Sequence, residues 1–168
     1  SWTWPGHEGR PIEVEIYSRA PRVRLSLNDS LVAGRSTTRA EEYKAVITIP
    51  YMPGILRAEA VDEQGTPIAE MNMGRNTLHT AGEPYAIRLV ADRTTIKADG
   101  QDLAFITVEV VDKHGVVCPN ATNELSLSVQ GPGTLAAFGN ADIKDLGSTV
   151  DAVHNVWKGR ALVVLRSS

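Results

Sequence analysis

Apolar residues recur at every second position along most of this chain and almost nowhere at helical spacing, a pattern that limits it to sheet. In PIEVEIYS, Ile12, Val14 and Ile16 alternate with Glu13, Glu15 and Tyr17; in RVRLSL, Val23, Leu25 and Leu27 alternate with Arg22, Arg24 and Ser26. A period of two puts each set on one face of a strand, the apolar set toward a core and the polar set toward water. KAVITI, GILRAEAV, YAIRLVA, LAFITVEVV, ELSLSV and RALVVL continue the pattern, most of them bounded by Gly, Pro, Asn or Asp. Short strands with turn signals and no crossover helices predict an all-β chain of antiparallel β-sandwiches.

The punctuation says more. LSLNDSLVAG sets Asn28 and Asp29 between two apolar runs, as a tight hairpin requires. AVDEQGTPIAE and VVDKHGVV share the form V-D-x-x-G, in which Asp caps a type I turn and Gly takes the left-handed conformation that returns the strand. HTAGEPYAIRL breaks one strand at Gly82 and Pro84 and starts another at Tyr85, which predicts two domains, 1–82 and 83–168, joined by a short linker. Each is then about 80 residues, a little under the ~100 of an immunoglobulin-like sandwich.

Bulk properties exclude whole classes of function. A net charge of −3 over 168 residues gives no electrostatic reason to expect nucleic acid or an anionic membrane as partner. No apolar run approaches the ~18 residues of a membrane helix, and the first residues lack the basic and apolar regions of a signal peptide. The single cysteine, Cys118, rules out an internal disulfide and a zinc site built on cysteine pairs; it reads as a small buried side chain.

Candidate chemistry is thin, and no cofactor is expected. HEGRP begins like a zinc-binding H-E-x-x-H helix, but Pro11 stands where the second histidine belongs and removes the helix as well. GPGTLA matches the loose dinucleotide fingerprint without the following helix that would cradle a pyrophosphate. Glu41 and Glu42 are adjacent and would face opposite ways on a strand. Asp142 and Asp145 lie in an irregular stretch, and Asp99 and Asp102 sit in a turn, where Asp bonds nearby amides. Of these pairs Asp99 and Asp102 are the best candidates for a cation held by oxygens. The histidines are scattered and form no nucleophile–base pattern. Trp2, Trp4 and Trp157, with His7 beside the first two, carry two readings: stacking on a sugar ring, or packing at a domain end or interface.

WTWPGHEGRPIEVEIYSRAPRVRLSLNDSLVAGRS resembles the first C-terminal accessory domain of glycoside hydrolase family 2 enzymes, the β-galactosidase-like proteins of Bacteroides-type bacteria. Trp2, Trp4, Pro5, Gly6, Glu8 and Gly9 match the opening of that domain; Val23, Leu25, Leu27, Asn28, Gly34 and Arg35 match its first strand pair. TAGEPYAIRLVADRTTIKADGQDLAFITVEVVDKHGVVCPNA, with GPGTLAAFGNADIKD and GRALVVLRS, is similar to the next, invasin-like immunoglobulin-like module. Against the family pattern, Asn-Gly is here Asn28-Asp29 with a residue added before Gly34, which predicts a wider hairpin. The family's GNGDP loop reads Gly139-Asn140-Ala141-Asp142-Ile143.

The resemblance implies two tandem immunoglobulin-like sandwiches and leaves open whether the second has its last strand. It also implies a non-catalytic role, with the acid and nucleophile glutamates on a (β/α)₈ barrel outside this chain. That barrel and the neighbouring domains are the implied partners, an oligosaccharide a further one, and a periplasmic or extracellular location follows from the family. Ser1 reads as the start of a piece, and the Trp-rich opening as a seam. A carbohydrate-binding module and an adhesin-type spacer are the rival readings. A last strand left unpaired at Ala161–Leu165 would expose a sheet edge and predict weak homodimerisation.

Overall fold

Alternation becomes strand almost wherever it occurs. The structure, a computed structural model, describes residues 1–72 and 76–168, and its contacts divide into two compact units, Ser1–Thr80 and Ala81–Ser168. Both are built of antiparallel strands.

In the first unit β1 (Pro11–Tyr17) pairs with β4 (Lys44–Pro50), and a second sheet runs in the order β3 (Ser30–Ser36), β2 (Arg22–Leu27), β5 (Ile55–Val61), β6 (Thr77–His79). Val23, Leu25 and Leu27 are buried on β2, and Leu25 and Leu27 meet Ile47 and Ile49 from β4 and Leu56 from β5. Trp2 and Tyr51 complete that core.

The hairpin between β2 and β3 corrects one expectation. It is tight: Leu27 pairs with Ser30, and both Asn28 (φ 50°) and Asp29 (φ 63°) take the left-handed conformation of a two-residue turn. The added residue is absorbed further along, where Leu25 faces Ala33 but Ser26 faces Leu31, leaving Val32 as a bulge. Asn28 tolerates the left-handed state because its side chain is engaged, accepting from the Ile55 amide at 2.8 Å and donating to the Pro53 carbonyl at 3.1 Å.

The second unit holds a four-stranded sheet in the order β10 (Gly133–Gly139), β12 (Arg160–Ser167), β8 (Leu103–Val111), β7 (Ala86–Ala91), and a small pair, β9 (Glu124–Ser126) with β11 (Val153–Asn155). Its core gathers Val108, Val110, Phe138, Val156, Ala161 and Val163. Cys118 is in the same cluster; burial first, then the charges of Asp112 and Glu83, push its thiol above the usual range, as for an inert structural cysteine.

The unpaired edge expected at Ala161–Leu165 is not there. β12 is an inner strand, bonded to β8 on one side and β10 on the other, and the free edges of the sheet belong to β7 and β10. A strand's place in a sheet is set by partners far away in sequence, which alternation does not encode. On β7, Ile87 and Leu89 share the inward face with Val110 and Val108 yet remain 56% and 61% exposed, so the core face is uncovered at that edge.

Candidate functional site

The Trp-rich opening is the feature the sequence singled out most sharply, and its aromatics have different fates. Trp2 is 2% exposed. Its indole stands edge-on to Tyr51 with ring centroids 5.1 Å apart, and its Nε1 donates to the Met52 carbonyl at 3.0 Å. A ring so enclosed has no face to offer a sugar. Thr80 Oγ1 donates to the Trp2 carbonyl at 2.6 Å and accepts from the Gly54 amide at 2.9 Å. The second and last residues of the unit are therefore bonded to each other and to the loop after β4.

Trp4 departs from this clasp. Its amide donates to the Tyr51 hydroxyl at 3.1 Å, but the residue is 45% exposed, and its ring stands edge-on to His7 at 6.3 Å between centroids. His7 is exposed and lies 3.3 Å from the Pro5 carbonyl through Nδ1. Trp157, half-buried in the second unit, opens the turn into β12, with Lys158 Nζ 4.3 Å from its ring centroid.

The carboxylates are engaged by the chain itself. Asp99 Oδ1 accepts from the Gln101 and Asp102 amides, both at 2.9 Å, and those two bonds hold its carboxyl below the usual range. Asp102 accepts from the Lys97 amide at 2.8 Å and the Leu103 amide at 3.0 Å. The pair shapes its turn. Neither Glu41 nor Glu42 lies on a strand: Glu41 ends a 3₁₀ turn at Arg39–Glu41, accepting from the Thr38 hydroxyl and amide in a capping box, and Glu42 is the turn's C-cap. GPGTLA leads into β10, so no helix terminus faces a phosphate there.

Sequence reasoning missed two charged clusters. Glu59 on β5 takes Arg24 Nε at 2.8 Å on one oxygen and Arg57 at 2.8 Å on the other. Glu109 on β8 takes Arg88 at 2.7 Å and Arg160 at 3.0 Å in the same way. Burial raises the Glu109 carboxyl, but the two guanidiniums outweigh it and leave it below the usual range. Glu109 is thereby kept ionised near neutral pH and is no proton donor there. The signal was present in the sequence as Arg on neighbouring strands, but it needed the strand order to be read.

A recess opens in the first unit beside Val14, Ile16, Leu25, Leu56 and Leu78. Glu15 and Glu59 border it, but strand alternation turns both away from the apolar positions that line it. Glu15 is bonded to Lys44 and Tyr17 instead. Among the described residues no group of three or more His, Cys, Asp or Glu side chains converges as a cation site would require.

With this geometry in view, residues 87–168 match the family described as glycoside hydrolase family 2 C-terminal domain 5, and residues 9–69 match a domain of unknown function, DUF4982. Over 99% of its length the chain is 33% identical to the beta-galactosidase BoGH2A of Bacteroides ovatus, and covers 19% of that protein. It is 28% identical to a beta-glucuronidase of Formosa agariphila over 77% of its length, and covers 13% of it. Among solved structures, a glycosyl hydrolase family 2 member from Bacteroides cellulosilyticus superposes with a TM-score of 0.91 at 36% identity, over 99% of this chain and 22% of that one. The chain thus spans about a fifth or less of the relatives it matches.

Proposed function

This chain belongs to the C-terminal accessory region of glycoside hydrolase family 2, and from that premise we propose that it is a non-catalytic support that positions the catalytic barrel of a β-galactosidase-like parent. The observation that carries this reading is the clasp of Trp2, Tyr51 and Thr80, which bonds the opening of the first unit to its close. A module held in this way transmits position from one flank to the other, which is what a structural collar needs. The acid and nucleophile carboxylates belong to the barrel in this reading. Here Glu59 and Glu109 are bound to arginines, and Asp99 and Asp102 to backbone amides. A location outside the cytoplasm goes with the same reading.

The test is direct. The 168-residue chain, purified alone, is expected to hydrolyse neither nitrophenyl β-galactoside nor nitrophenyl β-glucuronide. A turnover that disappears on Asp99→Ala or Asp102→Ala overturns the proposal. Exposed Trp4 beside His7 is what favours the rival carbohydrate-binding role. Calorimetry against galactose-containing oligosaccharides separates the two: heat that vanishes in Trp4→Ala favours the rival, and no heat favours support.

A further inference from the structure

The loop between β10 and β11, residues 140–152, carries three aliphatic side chains that nothing in its unit covers. Ile143 is 97% exposed, Leu146 98% and Val150 71%. A single exposed leucine is ordinary on a protein surface, but three within eight residues form a patch.

The loop that presents them is well fastened. Asn140 Nδ2 donates to Asp145 Oδ2 and to the Asn155 carbonyl, both at 2.8 Å, while its Oδ1 accepts from the Asp142 amide at 2.8 Å. Asp142 Oδ1 accepts from the Lys144 amide at 3.0 Å, and Asp145 Oδ1 from the Gly147 amide at 2.8 Å. Beneath them His154 is 7% exposed and packs against the Phe138 ring at 5.8 Å. A Cβ on Gly147 would stand 3.0 Å from Asp145 Oδ1 and 3.4 Å from His154 Nε2, so the base has no slack. Ordering a loop to hold aliphatic groups in water is unfavourable on both counts. Burial against an apolar partner reverses the second cost and makes use of the first.

The charges around the patch select the partner. Within residues 140–152, Asp142, Asp145 and Asp151 stand against one cation, Lys144. An anionic lipid surface would be repelled, and two copies meeting loop to loop would bring like charges together. About four-fifths or more of each relative matched here lies outside the matched region, which supplies a protein surface held at high effective concentration by covalent linkage. We propose that Ile143 and Leu146 are a docking peg that seats in an apolar, basic-rimmed recess on another domain of the parent polypeptide. This rests on the accessory-region reading above.

Hydroxyl-radical footprinting of the isolated chain and of the full parent protein tests the peg. Oxidation of Ile143 and Leu146 is expected to fall about tenfold in the parent, as near-complete exposure gives way to an interface core. In the parent carrying Ile143→Asp and Leu146→Asp, hydrogen exchange of 140–152 is expected to return to the isolated-chain rate. Equal oxidation in both forms overturns the peg. Protection that grows with concentration in the isolated chain assigns the loop to a second copy, and protection only on vesicles of phosphatidylcholine and phosphatidylglycerol assigns it to a membrane; either overturns it. Assaying the same parent on glycosides keeps the two proposals apart: an active parent with an unprotected loop sinks the peg alone, and an inert parent with a protected loop sinks the glycosidase reading alone.

Discussion

The openings of the two units are tied down by different chemistry. In the first, Trp2 is driven into the core as an apolar plug, with its carbonyl and indole N–H hydrogen-bonded. In the second, Asp112 Oδ2 accepts from the Gly82 amide at 2.8 Å, and the Cys118 thiol reaches the Gly82 carbonyl at 3.4 Å. That staple is an elaboration of a turn both units possess. Asp62 Oδ1 accepts from the Gln64 and Thr66 amides at 2.9 and 2.7 Å; Asp112 Oδ1 accepts from the His114 and Val116 amides at 2.8 and 2.9 Å. The V-D-x-x-G turn is thus the same device twice, but only the second copy has a partner for its remaining oxygen among the bonds described. An apolar plug is indifferent to pH. A carboxylate staple is not.

The comparison can be broken most forcefully at Trp2. Trp2→Ala is expected to cost the first unit about 3–5 kcal/mol, since a buried aromatic and its edge-on contact are lost together. Residue-resolved hydrogen exchange checks it: protection should fall across β2, β4 and β5 and stay unchanged in β8 and β12. Loss spread equally over both units would mean they are not separately fastened.

Next in size, Asp112→Ala should destabilise the second unit by about 2–3 kcal/mol, because three amides lose a charged acceptor. Asp62→Ala removes one bond fewer and should cost about 1 kcal/mol less. Urea midpoints of the two variants would decide it, and equal values would mean the Gly82 bond contributes nothing.

Glu109→Gln tests the second shared device. It leaves Arg88 and Arg160 without their common anion, but both are about half exposed and regain water, so the cost should be only about 1 kcal/mol. Glu59→Gln, clamped alike by Arg24 and Arg57, should behave the same way in thermal unfolding. A much larger loss at Glu109 would show that its neighbours on the flanking strands hold sheet order rather than charge alone.

The smallest effect is the pH dependence. The Gly82 amide first, then those of Val116 and His114, keep the Asp112 carboxyl below its usual range against the opposing push of burial. A folded-state value below the unfolded one means the stabilisation is complete above the ordinary aspartate range, about pH 4, and is lost as pH falls through the folded value. Protection of the Gly82 amide, corrected for intrinsic exchange, should therefore be level from about pH 7 to pH 5 and fade below about pH 4. Protection at Thr80 should show no such fade, and parallel losses would erase the distinction between plug and staple.

Much of this was legible before any coordinates. Alternation located β1, β2, β4, β5, β7, β8 and β12, because the face a strand buries is written into its own side chains. Asn28-Asp29 marked a tight turn, since residues that tolerate left-handed φ are few. The short strands β6 and β11 carried too few residues to show a period, and β10, in GTLAAFG, has small residues where the pattern would alternate. In the Trp-rich opening, Trp2 and Trp4 are equivalent to any local rule, yet one is core and the other half in water.

What the chain's own residues determined, then, were the features that act over a few positions: strand faces, the turns at Asn28, Asp62 and Asp112, and the lack of any α-helix among the described residues. Tertiary structure alone decided that β12 lies inside its sheet, that the extra residue beside Asn28 becomes a bulge at Val32, that Glu59 and Glu109 are each shared by two arginines, and that Ile143 and Leu146 stand uncovered. Backbone torsion and alternation are properties of neighbouring residues. Strand order, shared ions and exposure depend on which distant segments meet, and that is settled by packing the whole unit at once.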